Sequence, residues 1–195
     1  MKYLLVILLC CASLTLQSQS YKELKKEKPW GLFLSNDKFE QITWVKTGPM
    51  PMGTLIGNSN YGLKLHVYFG IYADGSTTSL RFKFKYNSSS WMFIETLTFL
   101  CGQGKKQLPP IKISMDRDTS PVRDVRYGGN ILEVYDVTLN DELDKFVEYY
   151  INGGKFTSTK IGGKDSYLVM GTFGIKLNKR LPPIYEYYKK KSAKN

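Results

Sequence analysis

From Trp30 to Met170 the apolar residues of this chain fall into short stretches separated by turn chemistry, at intervals of roughly 8 to 15 residues. A chain punctuated that often folds as many short strands, and the fold class it predicts is mainly β: an antiparallel β-sandwich or open barrel, with one amphipathic helix packed on it. Strands are expected at Leu32–Leu34, Gln41–Lys46, Leu63–Tyr72, Ser79–Tyr86, Trp91–Leu100, Ile111–Met115, Val122–Tyr127 and Ile131–Val137, with two more near Lys155–Ile161 and Ser166–Met170. The clearest hairpin joins Leu63–Tyr72 to Ser79–Tyr86 through Ala73-Asp74-Gly75-Ser76, because Asp-Gly tolerates the positive φ of a tight turn between two β-prone runs. Asn87-Ser88-Ser89-Ser90 then turns the chain into Trp91–Leu100, which predicts a three-stranded meander.

The helix is expected after Asn140, a good N-cap residue followed by Asp141 and Glu142, where the helix dipole favours negative charge. Leu143, Phe146, Val147, Tyr150 and Ile151 recur along one stripe, and Gly153-Gly154 ends the element. A helix of about 12 residues with one apolar stripe does not stand alone, so it should cover a sheet face. Residues 182–195 read instead as a proline-punctuated tail rich in tyrosine and lysine, either projecting or docked by its tyrosines with the lysines free.

At the other end, Met1-Lys2, the apolar run from Tyr3 to Ala12 and the small or polar Ser18-Gln19-Ser20 spell a secretory signal peptide over residues 1–20. The run is too short for a transmembrane helix, which takes about 20 apolar residues. Leu9 and Cys10 stand where lipoprotein processing requires a small residue, which argues against a lipid anchor at Cys10 or Cys11. Residues 21–29 are a charged spacer, and residues 30–181 are one β-rich domain with no further span of membrane length. Localisation is expected to be periplasmic or extracellular. Cleavage leaves Cys101 as the only cysteine, so no internal disulfide can form. Asn87-Ser88-Ser89 is a glycosylation sequon wherever the export route glycosylates.

Most site chemistry fails on residue supply. His66 is the only histidine, so paired-histidine metal sites are excluded; no metal or cofactor is expected, and no catalytic residue is assigned. A Cys101–His66 nucleophilic pair is outweighed by the ordinary role of a lone thiol as a small buried hydrophobe. Gly153-Gly154-Lys155 and Gly162-Gly163-Lys164 lack the frame of a phosphate-binding loop and read as turns. Asp116-Arg117-Asp118, with Asp124, lacks calcium-loop spacing and reads as a loop with local ion pairing, although scattered carboxylates leave a hydrolase as an alternative.

Charge gives the positive signal. Without Lys2, 27 Lys and Arg face 17 Asp and Glu, a net of +10 that favours anionic partners. Arg81, Lys83 and Lys85 alternate with Leu80, Phe82, Phe84 and Tyr86, which places the cations on one strand face about 7 Å apart and the aromatics on the other. Lys105-Lys106 and the tail lysines Lys189, Lys190 and Lys191 would extend this surface if the fold brings them near. Nucleic acid is disfavoured as a partner, since its single-strand readers put aromatics and cations on the same face. The predicted function is a non-catalytic exported envelope protein that binds a partner. Adhesion to anionic lipid headgroups or acidic glycans through the basic face is the nearest alternative.

Trp91-Met92-Phe93-Ile94-Glu95, Gly104-Lys105-Lys106 and Gly128-Gly129-Asn130-Ile131-Leu132-Glu133 resemble a pattern in small uncharacterised exported bacterial envelope proteins. There, an aromatic-x-Phe-Ile strand precedes a Gly-Lys turn, a Gly-Gly-x-x-x-Glu strand, a helix and a late strand pair. The resemblance spans about residues 80–180 and implies a β-rich envelope domain with no mechanism attached. After Tyr167–Phe173 the sequence departs from that pattern, without the long C-terminal helix expected to follow.

Overall fold

The computed structural model describes residues 32–55, 58–103, 106–116, 118, 120–171 and 177–193. The signal peptide, the whole spacer and Gly104-Lys105 therefore lie outside the described residues. The strands run β1 (Leu32–Asp37), β2 (Ile42–Thr47), β3 (Met50–Leu55), β4 (Asn58–Tyr72), β5 (Arg81–Ser88), β6 (Ile94–Gln103), β7 (Lys106–Ser114), β8 (Val122–Val125) and β9 (Ile131–Thr138). Helix α1 (Asp141–Ile151), β10 (Lys155–Gly163), β11 (Tyr167–Gly171) and helix α2 (Leu177–Ser192) complete the chain.

All pairings are antiparallel, and they form two open sheets of 7 and 4 strands with two helices, as the strand rhythm predicts. The larger sheet contains β1, β2, β3, β4, β5, β9 and β8, and the smaller contains β7, β6, β10 and β11. Only one residue pair, Gly171 with Thr54, bridges β11 to β3. The two sheets share a single core: Leu63, Leu65, Val67, Phe69, Phe82 and Phe84 from one, with Leu97, Phe99, Ile113 and Ile161 from the other, all buried. Strict alternation produces this, since β5 buries every second residue along its length.

The predicted hairpin is present. Asp74 accepts hydrogen bonds from the Ser76 amide (2.8 Å) and hydroxyl (2.7 Å), and Gly75 takes φ 90° in the turn. The meander is corrected at its third strand: β5 pairs with β9, and β6 lies in the other sheet between β7 and β10. Two features make the switch. Arg81 and Lys83 on β5 meet Asp136 on β9, at 2.9 Å and 3.4 Å. The crossover 91–94 is held by Glu133, a fully buried carboxylate that accepts the amides of Met92 (2.6 Å), Phe93 (3.1 Å) and Ile94 (3.2 Å) and the Tyr135 hydroxyl (2.7 Å). Phe93 turns there with φ 49°.

Helix α1 matches its predicted stripe. The Asn140 side chain accepts from the amides of Glu142 and Leu143, and Leu143, Phe146, Val147 and Tyr150 are buried. Phe146 stacks on Phe156 of β10 at 4.9 Å and tilts against Phe99 of β6 at 4.8 Å, so α1 covers the smaller sheet.

The segment read as a tail docks by its tyrosines, one of the two expected alternatives, but it does so as a helix: residues 177–192 form α2 despite Pro182 and Pro183. Leu181, Ile184 and Tyr185 are buried, and Tyr187 and Tyr188 pack on Phe69 of β4 at 6.0 Å and 5.4 Å. Those residues share one helical stripe whose burial offsets the proline cost, which is real here because Pro182 and Pro183 lie beyond the first turn and each removes an intrahelical hydrogen bond. A helix therefore follows Tyr167–Gly171 where the sequence reading expected none.

Candidate functional site

Arg81, Lys83 and Lys85 lie together on the outer face of the larger sheet, with Phe82, Phe84 and Tyr86 buried beneath, as alternation requires. The pairing register adds residues that the sequence reading left out. Lys64 stands opposite Lys85, His66 opposite Lys83, and Tyr68 opposite Arg81, while Lys46 of β2 stands opposite Tyr68. Cross-strand partners project to the same face, so three strands contribute these residues to one surface.

Two hollows open on that surface. The first, about 640 Å3, is lined by Ser35, Trp44, Lys46, Thr47, Gly48, His66, Tyr68, Lys83 and Lys85. Beside it, Gly70 leaves room for the Trp44 ring, since a Cβ there would lie 2.7 Å from the Ile42 side chain and 3.3 Å from that ring. The second, about 830 Å3, is bounded by Pro49, Lys64, Lys85, Asn87, Asp124, Arg126 and Leu132 and again by His66. His66 and Lys85 thus belong to both, forming a waist between them.

Cations outnumber carboxylates on this face. Asp136 is shared by Arg81 and Lys83, and Asp124 lies 3.9 Å from Arg126. Lys46, Lys64 and Lys85 have no carboxylate partner among the described residues. Burial, reinforced by Lys83, Arg126 and Lys64, holds the Lys85 ammonium below its ordinary pKa. Burial and then Lys85, with smaller effects from Lys83 and Lys64, likewise lower His66, against an opposing hydrogen bond to the Thr47 backbone. Tyr68 hydrogen-bonds Asp136, and burial together with that bond pushes its hydroxyl up to about 12. It stays protonated.

The tail lysines are elsewhere. Tyr187 and Tyr188 place α2 against Phe69, whose side chain points to the opposite side of β4 from Tyr68 and His66. Lys189 is engaged by Asp144 of α1 at 3.3 Å and lies over the Tyr185 ring, and Lys191 lies over Tyr187, so these two are not free as the tail reading had them. Lys190 is exposed. Lys105 is outside the described residues, as is the side chain of Lys106.

The remaining candidates resolve as structural groups. Cys101 is buried in the smaller sheet, with its thiol pKa raised by burial, while His66 is on the outer face of the larger one. Neither Gly-Gly-Lys triplet opens a helix: Gly153-Gly154 follows α1 and Lys155 begins β10, while the turn reading of the second is corrected, since Gly162 and Gly163 are the last residues of β10, at a bulge against β6, and only Lys164 lies in the connection to β11. Asp118 accepts the amides of Ser120 (2.9 Å) and Asp136 (2.7 Å), and Arg117 is outside the described residues. Asp124 is the only carboxylate lining either hollow, and no group of three or more potential metal ligands occurs among the described residues.

No family model, curated protein or solved structure matches this chain. Within the described residues, no helix is long and apolar enough to cross a membrane.

Proposed function

We propose that this chain is a non-catalytic binding protein of the export route that captures an anionic ligand on the outer face of its larger sheet. One observation carries the reading: Lys46, Lys64 and Lys85 line two adjoining hollows and none forms an ion pair with a carboxylate among the described residues, while Asp124 on the second lining is paired with Arg126. Holding cations together in partial burial costs folding energy, and a bound anion would offset that cost. Proteins retain such arrangements at sites more often than in passive surface.

The reading is tested with dextran sulfate as a probe, titrated at increasing NaCl. Affinity should fall steeply with salt, because these cations are still within reach of solvent screening at a Debye length of about 10 Å in 0.1 M salt. Lys64→Glu and Lys85→Glu should each weaken binding about tenfold or more, while Lys190→Glu on α2 should change it less than twofold. Salt-insensitive binding, or equal losses from the helix variant, would overturn the assignment to this face.

A further inference from the structure

The two hollows are not independent, and their union suggests what kind of anion fits. They share His66 and Lys85, and each holds at least one cation of its own: Lys46 in the first, Lys64 and Arg126 in the second. A single small anion would occupy one and leave the other's charge unanswered. A chain carrying repeated negative groups can answer both.

We infer that the paired hollows accommodate one extended acidic polysaccharide, its anionic groups distributed over the Lys46 side and the Lys64–Arg126 side, and its backbone crossing the waist at His66 and Lys85. This rests on the anion-binding reading above and adds the ligand class to it.

Three observations favour a polysaccharide over other polyanions. First, Lys64, Lys83 and Lys85 are half-buried among their neighbours on a sheet face, where a flexible chain can reach them and a flat bilayer surface cannot. The strongly exposed apolar side chains Phe39, Phe93, Tyr167 and Val169, which a membrane contact would use, line neither hollow. Second, the aromatics here offer no open platform for a nucleobase. The Lys83 ammonium lies 5.0 Å from the centre of the Tyr68 ring, covering one face, and Trp44 is tilted 55° against that ring at 5.9 Å. Third, Ser35 in the first hollow and Asn87 in the second supply the short hydroxyl and amide groups that hydrogen-bond sugar hydroxyls.

Linking two weak contacts through one chain makes the second effectively intramolecular, so affinity must depend on ligand length. The test is calorimetric titration of the chain with heparin-derived di- and octasaccharides. The octasaccharide should bind at least tenfold more tightly than the disaccharide. Arg126→Glu and Lys46→Glu should each remove most of that gain, so that in either variant the octasaccharide binds no more than about threefold more tightly than the disaccharide. Thermal unfolding of each variant checks that it is folded. Binding that is tight but independent of length would overturn the spanning geometry and leave the anion-binding reading intact. Stronger binding to a single-stranded oligonucleotide of equal charge, or to vesicles rich in anionic lipid, would overturn the ligand class. Loss of all three ligands' binding to the unmutated chain would sink the anion-binding reading itself.

Discussion

Replacing Glu133 with alanine should cost the fold about 3 to 5 kcal/mol, through four lost hydrogen bonds to charged oxygen. Oε1 accepts Met92 N–H at 2.6 Å and Phe93 N–H at 3.1 Å, and Oε2 accepts Ile94 N–H at 3.2 Å and the Tyr135 hydroxyl at 2.7 Å. The Phe93 side chain is exposed, so water can reach that amide again. The other two amides and the tyrosine hydroxyl are left buried without an acceptor, at about 1 to 3 kcal/mol each before relaxation. Glu133→Gln should be milder, about 1.5 to 3 kcal/mol, because the remaining oxygen keeps two amides while the new NH2 faces the Ile94 N–H. Urea unfolding measures both, and for a chain of this size the alanine loss corresponds to a fall in Tm of roughly 6 to 20 °C. A loss below about 1 kcal/mol for alanine would refute the view that this carboxylate fixes the crossover between the sheets.

Gly163→Ala should destabilise by about 1 to 3 kcal/mol in the same assay, since a Cβ there would lie 2.0 Å from the Met92 carbonyl oxygen, in backbone that cannot swing aside. Below pH 6.5 the lowered pKa of His66 means the unfolded chain takes up a proton before the folded one, so stability should decline on acidification from 6.5 toward the folded value; His66→Gln should flatten that slope. The buried Cys101, its thiol pKa raised by burial, should react with thiol reagents in native protein at least a hundredfold more slowly than in urea.

Period-2 alternation made β4, β5 and β9 legible from sequence, and capping plus an apolar stripe made α1 legible, because these signals are local. The element missed, β3, reads Met50-Pro51-Met52-Gly53, a segment that two turn-forming residue types make look like loop. Its Pro51 is tolerated because the register against β4 shifts between Pro51 and Gly53 and β3 meets β11 at one bridge only, at Thr54. Helix α2 was hidden for a related reason: Pro182-Pro183 is a strong local stop, and only the tertiary contact of Tyr187 and Tyr188 with Phe69 outweighs it. Half of the site followed from alternation in Arg81, Lys83 and Lys85. Lys64 and His66 alternate with Leu63, Leu65 and Val67 in the same way, yet joining them to β5 needs the register, and joining Lys46 and Tyr68 needs the β2–β4 pairing. The same register puts Trp44 and Tyr68 on the cationic face, so aromatics and cations are not segregated across the sheet as they are along β5 alone.

His66, as the only histidine, offers a direct reporter at the waist of the site. It is faced by Lys46 from β2, by Lys64 and Tyr68 on its own strand and by Lys83 and Lys85 from β5, with Asp136 of β9 tied to Lys83 and Asp124 and Arg126 bordering the second hollow. The deciding measurement is an NMR titration of its ring protons with and without saturating heparin octasaccharide. The free protein should titrate below 6.5, and the complex at least one unit higher, equivalent to about tenfold tighter binding in acid. A His66 titration that saturating ligand leaves unchanged would contradict the placement of the anion site on this face.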